Sequence, residues 1–141
     1  MKESVRRERI TKACMDRFNG KPLVPGRRDC ATLAAHAMHK GGRKADLLTA
    51  SKHTTWLGAV KYIRKQGCQS LAELMDACGL ERIPPAAAWP GDIVALPSGD
   101  EEGFGCSLTV ALDNGRVLGF NGETGRCEPH QPFEFVAAWR V

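Results

Sequence analysis

The hydrophobic pattern of the chain changes once, between residues 82 and 91, and this change limits the folds that are possible. Residues 1–82 carry apolar side chains three and four positions apart, which is the spacing of amphipathic helices. Residues 91–141 carry short apolar runs separated by turn-forming residues, which is typical of strands. Helices followed by antiparallel strands indicate an α+β fold, and 141 residues fit a single domain, 1–141.

Predicted helices in the first half each end at a glycine. They cover residues 4–18, 30–40, about 54–66 and 70–78, with loops at 20–28 and 43–53. Ser70 and Glu73 have the spacing of a capping box, in which each satisfies a backbone N–H of the first helical turn. The proline-rich segment 83–92 joins the two halves.

Predicted strands in the second half are short and lie close together along the chain. They cover residues 91–97, 107–112, 116–120 and 133–141. An Asp-Asn-Gly turn at 113–115 indicates a hairpin between the second and third strands. A glycine-rich acidic loop at 98–105 and a second loop at 121–132 complete the pattern.

A cysteine stands at the first turn of the second helix, in the stretch GRRDCATLAAHAM at residues 26–38. Asp29 is a suitable N-cap, and Cys30 is the first member of an apolar stripe. A helix N-terminus favours an anion, so we expect the pKa of Cys30 to fall from roughly 8.5 to about 7 to 8. The alternative is that Cys30 only packs in the core, and the residue pattern alone favours that alternative.

Composition argues against several classes of function. The net charge is +4 and there is one tyrosine, so no basic surface interleaved with aromatic residues is expected to bind nucleic acid. The six cysteines include no C-x-x-C pair, and we expect them to be reduced, with no metal and no cofactor. No apolar run is long enough to span a membrane, and the charged first ten residues do not match a signal peptide.

The order of these features resembles the NlpC-type cell-wall peptidases of the papain-like superfamily. The matching residues are Asp29-Cys30 and Gly91-Asp92-Ile93-Val94, and the resemblance runs from about residue 15 to 141. The chain is most similar to a phage and prophage branch of unknown function, in which three motifs recur together: SLAEL at 70–74, PGDIV at 90–94 and AWRV at 138–141. The resemblance implies a papain-like fold with Cys30 at the start of a central helix that packs on a C-terminal antiparallel sheet.

The chain departs from this family where active members carry the catalytic histidine. Alignment on the hairpin places Ser107 at that position, and Asn121 is the polar residue available on the next strand. His130, in the last predicted loop, is the candidate base, because loops carry many functional residues. His53 lies in the irregular stretch before the third helix, and we expect His36 and His39 to be surface residues of the second helix.

Three hypotheses follow. The resemblance and the missing histidine favour a phage or prophage tail-associated protein with a degenerate, non-catalytic NlpC-type fold, which acts in the tail tip or its assembly. Its expected partners are other tail proteins, and its expected location is the host cytoplasm during assembly and then the virion tail. The second hypothesis is an active cysteine peptidase or amidase that cleaves peptidoglycan peptides, with Cys30 as nucleophile and His130 as base. The third is a small cytosolic domain in which Cys30 only packs.

Overall fold

The computed structural model describes residues 1–98 and 104–141, and it confirms the α+β class. All helices of more than three residues in these ranges precede all strands. The helices are α1 (Glu3–Phe18), α2 (Cys30–Lys40), α3 (Asp46–Thr49), α4 (Trp56–Lys65) and α5 (Leu71–Ala77). Short 3-10 turns lie at Pro85–Ala87 and Asp113–Gly115.

The described strands form one antiparallel sheet. They are β1 (Arg82–Ile83), β2 (Ile93–Leu96), β3 (Ser107–Ala111), β4 (Val117–Phe120), β5 (Cys127–His130) and β6 (Ala137–Trp139). The spatial order is β1-β6-β2-β3-β4-β5. The last strand, β6, therefore lies between β1 and β2 and pairs with both, which joins the end of the chain to the first strands.

The core lies between the sheet and α2. Leu33 and Met38 of α2 are fully buried and belong to the same cluster as Leu108 and Val110 of β3. Alternate residues of β3 face opposite sides of the sheet, and Ala111 packs in a second, smaller cluster on the other side. The apolar stripe that begins at Cys30 therefore packs α2 against the sheet and fixes the start of this helix beside β3.

Four boundaries differ from the sequence prediction. The predicted loop 43–53 contains α3, which is anchored by the buried Leu48, and the connecting segment begins with strand β1. The predicted loop 121–132 contains β5, a polar edge strand that exists because it pairs with β4. The last strand is shorter than predicted and covers only Ala137–Trp139, while Phe133 is 95% exposed. Most of the acidic loop, 99–103, lies outside the described residues.

Asp92, which precedes β2, is fully buried and joins distant parts of the chain. Its Oδ1 accepts hydrogen bonds from the Arg7 guanidinium and from the backbone N–H of Val141, both at 2.9 Å. Its Oδ2 accepts from the Arg140 guanidinium and from the backbone N–H of Trp89, both at 2.8 Å. This Asp92 cluster connects α1 to the start of β2 and to the residues after β6.

Candidate functional site

A cavity of about 500 Å³ opens beside the N-terminus of α2. Its lining includes four side chains capable of nucleophilic or acid–base chemistry that lie near the start of α2 or in the segment before α4: Asp29, Cys30, Ser51 and His53. Most of the remaining wall is apolar, including Leu23, Leu48, Trp56, Ile63, Phe104 and Phe120. A mostly apolar cavity with a few converging polar groups is the usual form of a small-molecule or catalytic site.

Asp29 caps α2, as predicted, and also forms one wall of the cavity. Its carboxylate accepts from the backbone N–H of Thr32 at 2.8 Å, and the Thr32 hydroxyl accepts in turn from the backbone N–H of Asp29. The second carboxylate oxygen accepts from the backbone N–H of Gly26 at 2.8 Å. Asp29 is only 1% exposed, so these bonds hold the carboxylate in one orientation.

His53 is the histidine that the structure brings to this cavity. Its Nε2 lies 2.7 Å from Oδ2 of Asp29, and its Nδ1 lies 2.6 Å from the hydroxyl oxygen of Ser51. Both ring nitrogens are therefore occupied by partners other than Cys30. The side chains of His53 and Asp29 are 7% and 2% exposed, so little solvent competes for the bond between them.

Two backbone features hold the segment that carries His53. Lys52, between Ser51 and His53, has a φ of 47°, which is a strained left-handed conformation for a residue with a side chain. Gly26 has a φ of 81°, and a Cβ at this position would lie 1.9 Å from the backbone oxygen of His53. The loop before α2 can therefore lie against His53 only because residue 26 is glycine.

The Cys30 thiol is not activated in the way that its position predicts. Cys30, the first residue of α2, is half-buried and packs against the core cluster that includes residues of β3. Burial raises the pKa of its thiol to about 12, the nearby Asp29 carboxylate and Cys106 act in the same direction, and a backbone hydrogen bond from Leu108 opposes them. The expected decrease to about 7 to 8 was wrong, because the cost of desolvating the thiolate exceeds the benefit of the helix terminus.

Two of the other three predicted site residues, Ser107 and Asn121, line the same cavity as Cys30. Ser107, which the resemblance was expected to place at the position of the catalytic histidine, lines the cavity. Asn121 also lines it, but its side chain donates to Glu128 at 2.7 Å and accepts from the backbone N–H of Glu123. His130 lies on β5, pairs with Val117 and is not among the described residues that line the cavity.

The two histidines of α2 lie elsewhere. His36 contacts the Arg17 guanidinium at 3.1 Å and is half-buried, and burial lowers the pKa of its ring. His39 is exposed, as predicted. Both line a separate depression with Asp46, outside the Cys30 cavity.

Sequence reasoning named His53 but ranked it below His130, and it missed Ser51. The available signal was the polar run Ser51-Lys52-His53 in a short predicted loop. Ser51 and His53 are two residues apart and can therefore meet in a local turn.

Among residues 1–98 and 104–141, no group of three or more His, Cys, Asp or Glu side chains is placed to hold a metal ion. In the same ranges no helix has the length and apolar character needed to cross a membrane.

Comparisons with known proteins give one match. No curated protein and no solved structure matches the chain. One family model matches residues 3–141, which is nearly the whole chain. The chain therefore belongs to the family described as a domain of unknown function, DUF6950.

Proposed function

We propose that this protein is a phage or prophage tail-associated protein with a degenerate NlpC-type papain-like fold, in which Cys30 does not act as a peptidase nucleophile. One observation carries the loss of peptidase chemistry: the histidine that reaches the cavity has both ring nitrogens bonded to Ser51 and Asp29. The role in the tail rests on the resemblance of the motifs at 70–74, 90–94 and 138–141.

Thiol chemistry needs two things that Cys30 lacks here. The first is a thiolate, and because burial raises the pKa of the Cys30 thiol to about 12, the thiol stays protonated at neutral pH. The second is a general acid that delivers a proton to the leaving amine. Ser107, at the strand position where the related peptidases carry histidine, cannot deliver that proton at neutral pH.

Two experiments test this proposal. We expect no release of peptides when the protein is incubated with muropeptides, and no difference between wild type and Cys30→Ala. Cleavage that depends on Cys30 would overturn the loss of catalysis. We also expect the protein in purified virions or in tail-assembly intermediates, together with other tail proteins, and its absence from both would overturn the tail assignment.

A second function is favoured by a specific observation, which is that Cys30 and the His53–Asp29 pair line the same cavity. In this alternative, His53 releases Ser51, turns toward Cys30 and acts as the base of a cysteine peptidase or amidase on peptidoglycan peptides. Muropeptide cleavage would then be lost in both Cys30→Ala and His53→Gln. It would increase in Ser51→Ala, because that substitution frees Nδ1 of His53.

A further inference from the structure

Ser51, His53 and Asp29 form a continuous chain of short hydrogen bonds at the cavity wall. The Ser51 oxygen lies 2.6 Å from Nδ1 of His53, and Nε2 of His53 lies 2.7 Å from Asp29. All three residues line the cavity of about 500 Å³. A hydroxyl, an imidazole and a carboxylate in this order are the parts of an activated serine nucleophile.

The hydrogen-bond partners of Asp29 indicate where the protons lie. Each of its carboxylate oxygens already accepts a hydrogen bond from a backbone N–H group, that of Gly26 or that of Thr32, so Asp29 is an acceptor in this network. Nε2 of His53 therefore donates to Asp29. In the neutral ring Nδ1 is then the acceptor, and the Ser51 hydroxyl donates to it. The base that would remove the Ser51 proton is thus oriented by a buried carboxylate.

The backbone around this relay supports a functional role. Lys52 holds a left-handed φ of 47° between the nucleophile and the base, and strained residues of this kind concentrate at functional sites. The first residues of α2, Cys30 and Ala31, also line the cavity. The backbone N–H of Ala31 belongs to the first turn of an eleven-residue helix, where no intrahelical acceptor exists, and it is suited to receive a developing negative charge.

We propose that Ser51 is the nucleophile of a hydrolase site for carboxylic esters with an apolar acyl group, with His53 as general base and Asp29 as the residue that positions it. The mostly apolar wall fits such an acyl group. This inference goes beyond the proposed tail function and is compatible with it, since it concerns a hydroxyl and leaves the Cys30 thiol without a role in bond cleavage.

The reaction proceeds in two steps, which are the acylation of Ser51 and the hydrolysis of the acyl-serine. The Ser51 oxygen bonds to the carbonyl carbon while its proton passes to Nδ1 of His53, and the backbone N–H of Ala31 at the start of α2 binds the oxyanion. The ester C–O bond then breaks, and the leaving alcohol takes the proton from His53. Water attacks the acyl-serine, transfers its proton to His53, and the carboxylic acid leaves as the proton returns to Ser51.

The test uses a fluorophosphonate probe and p-nitrophenyl butyrate with the full chain. We expect a covalent adduct on Ser51, located by peptide mass spectrometry, and ester hydrolysis that falls at least about 100-fold in Ser51→Ala and in His53→Gln. Ser4→Ala is the matched control, because Ser4 is exposed on α1, and it is expected to react like wild type. Thermal melting establishes that each variant is folded.

Two results would overturn the inference. One is the absence of a Ser51 adduct in the folded wild type, a result that does not depend on any variant. The other is a Ser51 adduct that forms at an unchanged rate in folded His53→Gln. Neither result affects the proposal for Cys30, which is tested by muropeptide cleavage and by thiol alkylation.

Discussion

Two buried aspartates organise this molecule, and they do so in different ways. Asp92 is fully buried, and its carboxylate is bonded to the guanidinium groups of Arg7 and Arg140. Asp29 is equally buried, but its ionisable partner is His53, and it borders a cavity. The two guanidinium groups of the Asp92 cluster carry permanent positive charges, whereas the imidazole that contacts Asp29 can gain or lose a proton.

The difference separates a structural carboxylate from a chemically useful one. A carboxylate paired with two arginines takes part in no proton transfer, because guanidinium groups do not release protons in proteins. A carboxylate that orients a histidine can support proton transfer at the other ring nitrogen. We therefore expect changes at Asp92 to affect mainly the stability of the fold, and changes around Asp29 to affect mainly the cavity.

The largest expected effect is that of Asp92→Ala. Removing this carboxylate leaves two guanidinium groups without their buried partner, and we expect the free energy of unfolding to fall by about 3–5 kcal/mol in urea denaturation. Asp16→Ala is the matched control, since the Asp16–Lys12 pair is exposed, and it should cost no more than about 1 kcal/mol. Equal losses in the two variants would contradict the structural role of the Asp92 cluster.

Gly26→Ala should have the next largest effect. The new Cβ would lie 1.9 Å from the backbone oxygen of His53, at a φ of 81°. We expect a loss of about 2 kcal/mol or more in stability, together with displacement of His53. Gly122→Ala, where a Cβ meets nothing within 4 Å, is the control and should change stability by less than about 0.5 kcal/mol. The prediction fails if both variants melt at the same temperature.

Asp29→Ala should cost less than Asp92→Ala but should alter the site more. The variant loses the N-cap of α2 and leaves Nε2 of His53 without its acceptor, so we expect a loss of about 1–3 kcal/mol. Nitrogen NMR of the His53 ring should report a change from the Nε2–H tautomer to a mixture. An unchanged tautomer would show that Asp29 does not orient this ring.

Lys52→Gly should have the smallest effect and the opposite sign. Glycine adopts a φ of 47° without strain, so the native state should gain up to about 1 kcal/mol, less the entropy that glycine adds to the unfolded chain. Chemical denaturation measures the net change. A loss of stability of more than about 1 kcal/mol in Lys52→Gly exceeds the entropic cost of glycine and would mean that the lysine side chain itself stabilises the turn.

The sequence predicted the elements whose signals are local. The apolar spacing of α1 and α2, the Asp29 cap and the glycines that follow each helix all lie within a few residues of one another. It missed β5 and α3, because a polar edge strand with Pro129 depends on pairing with β4, and a four-residue helix depends on burial of Leu48. Such contacts have no local signature.

The candidate site also has one part that local sequence patterns predict and another part that depends on contacts between distant residues. The position of Cys30 at the start of α2 follows from the cap and the apolar stripe. The choice of His53 over His130 depends on the close approach of Gly26 and on the left-handed Lys52, neither of which a pattern of apolar residues can predict. The pKa of Cys30 was mispredicted because the burial of its thiol against the core is a property of the packed structure.

The pH dependence of iodoacetamide alkylation at Cys30, followed by peptide mass spectrometry in the native protein, tests the central claim most directly. Only the thiolate reacts, and the pKa is about 12, so the rate should rise about tenfold per pH unit from pH 7 to 10 without a plateau. The same peptide in urea should level off above its ordinary pKa of roughly 8.5. A native profile that levels off at or below that pH would show an activated thiol and would contradict the account.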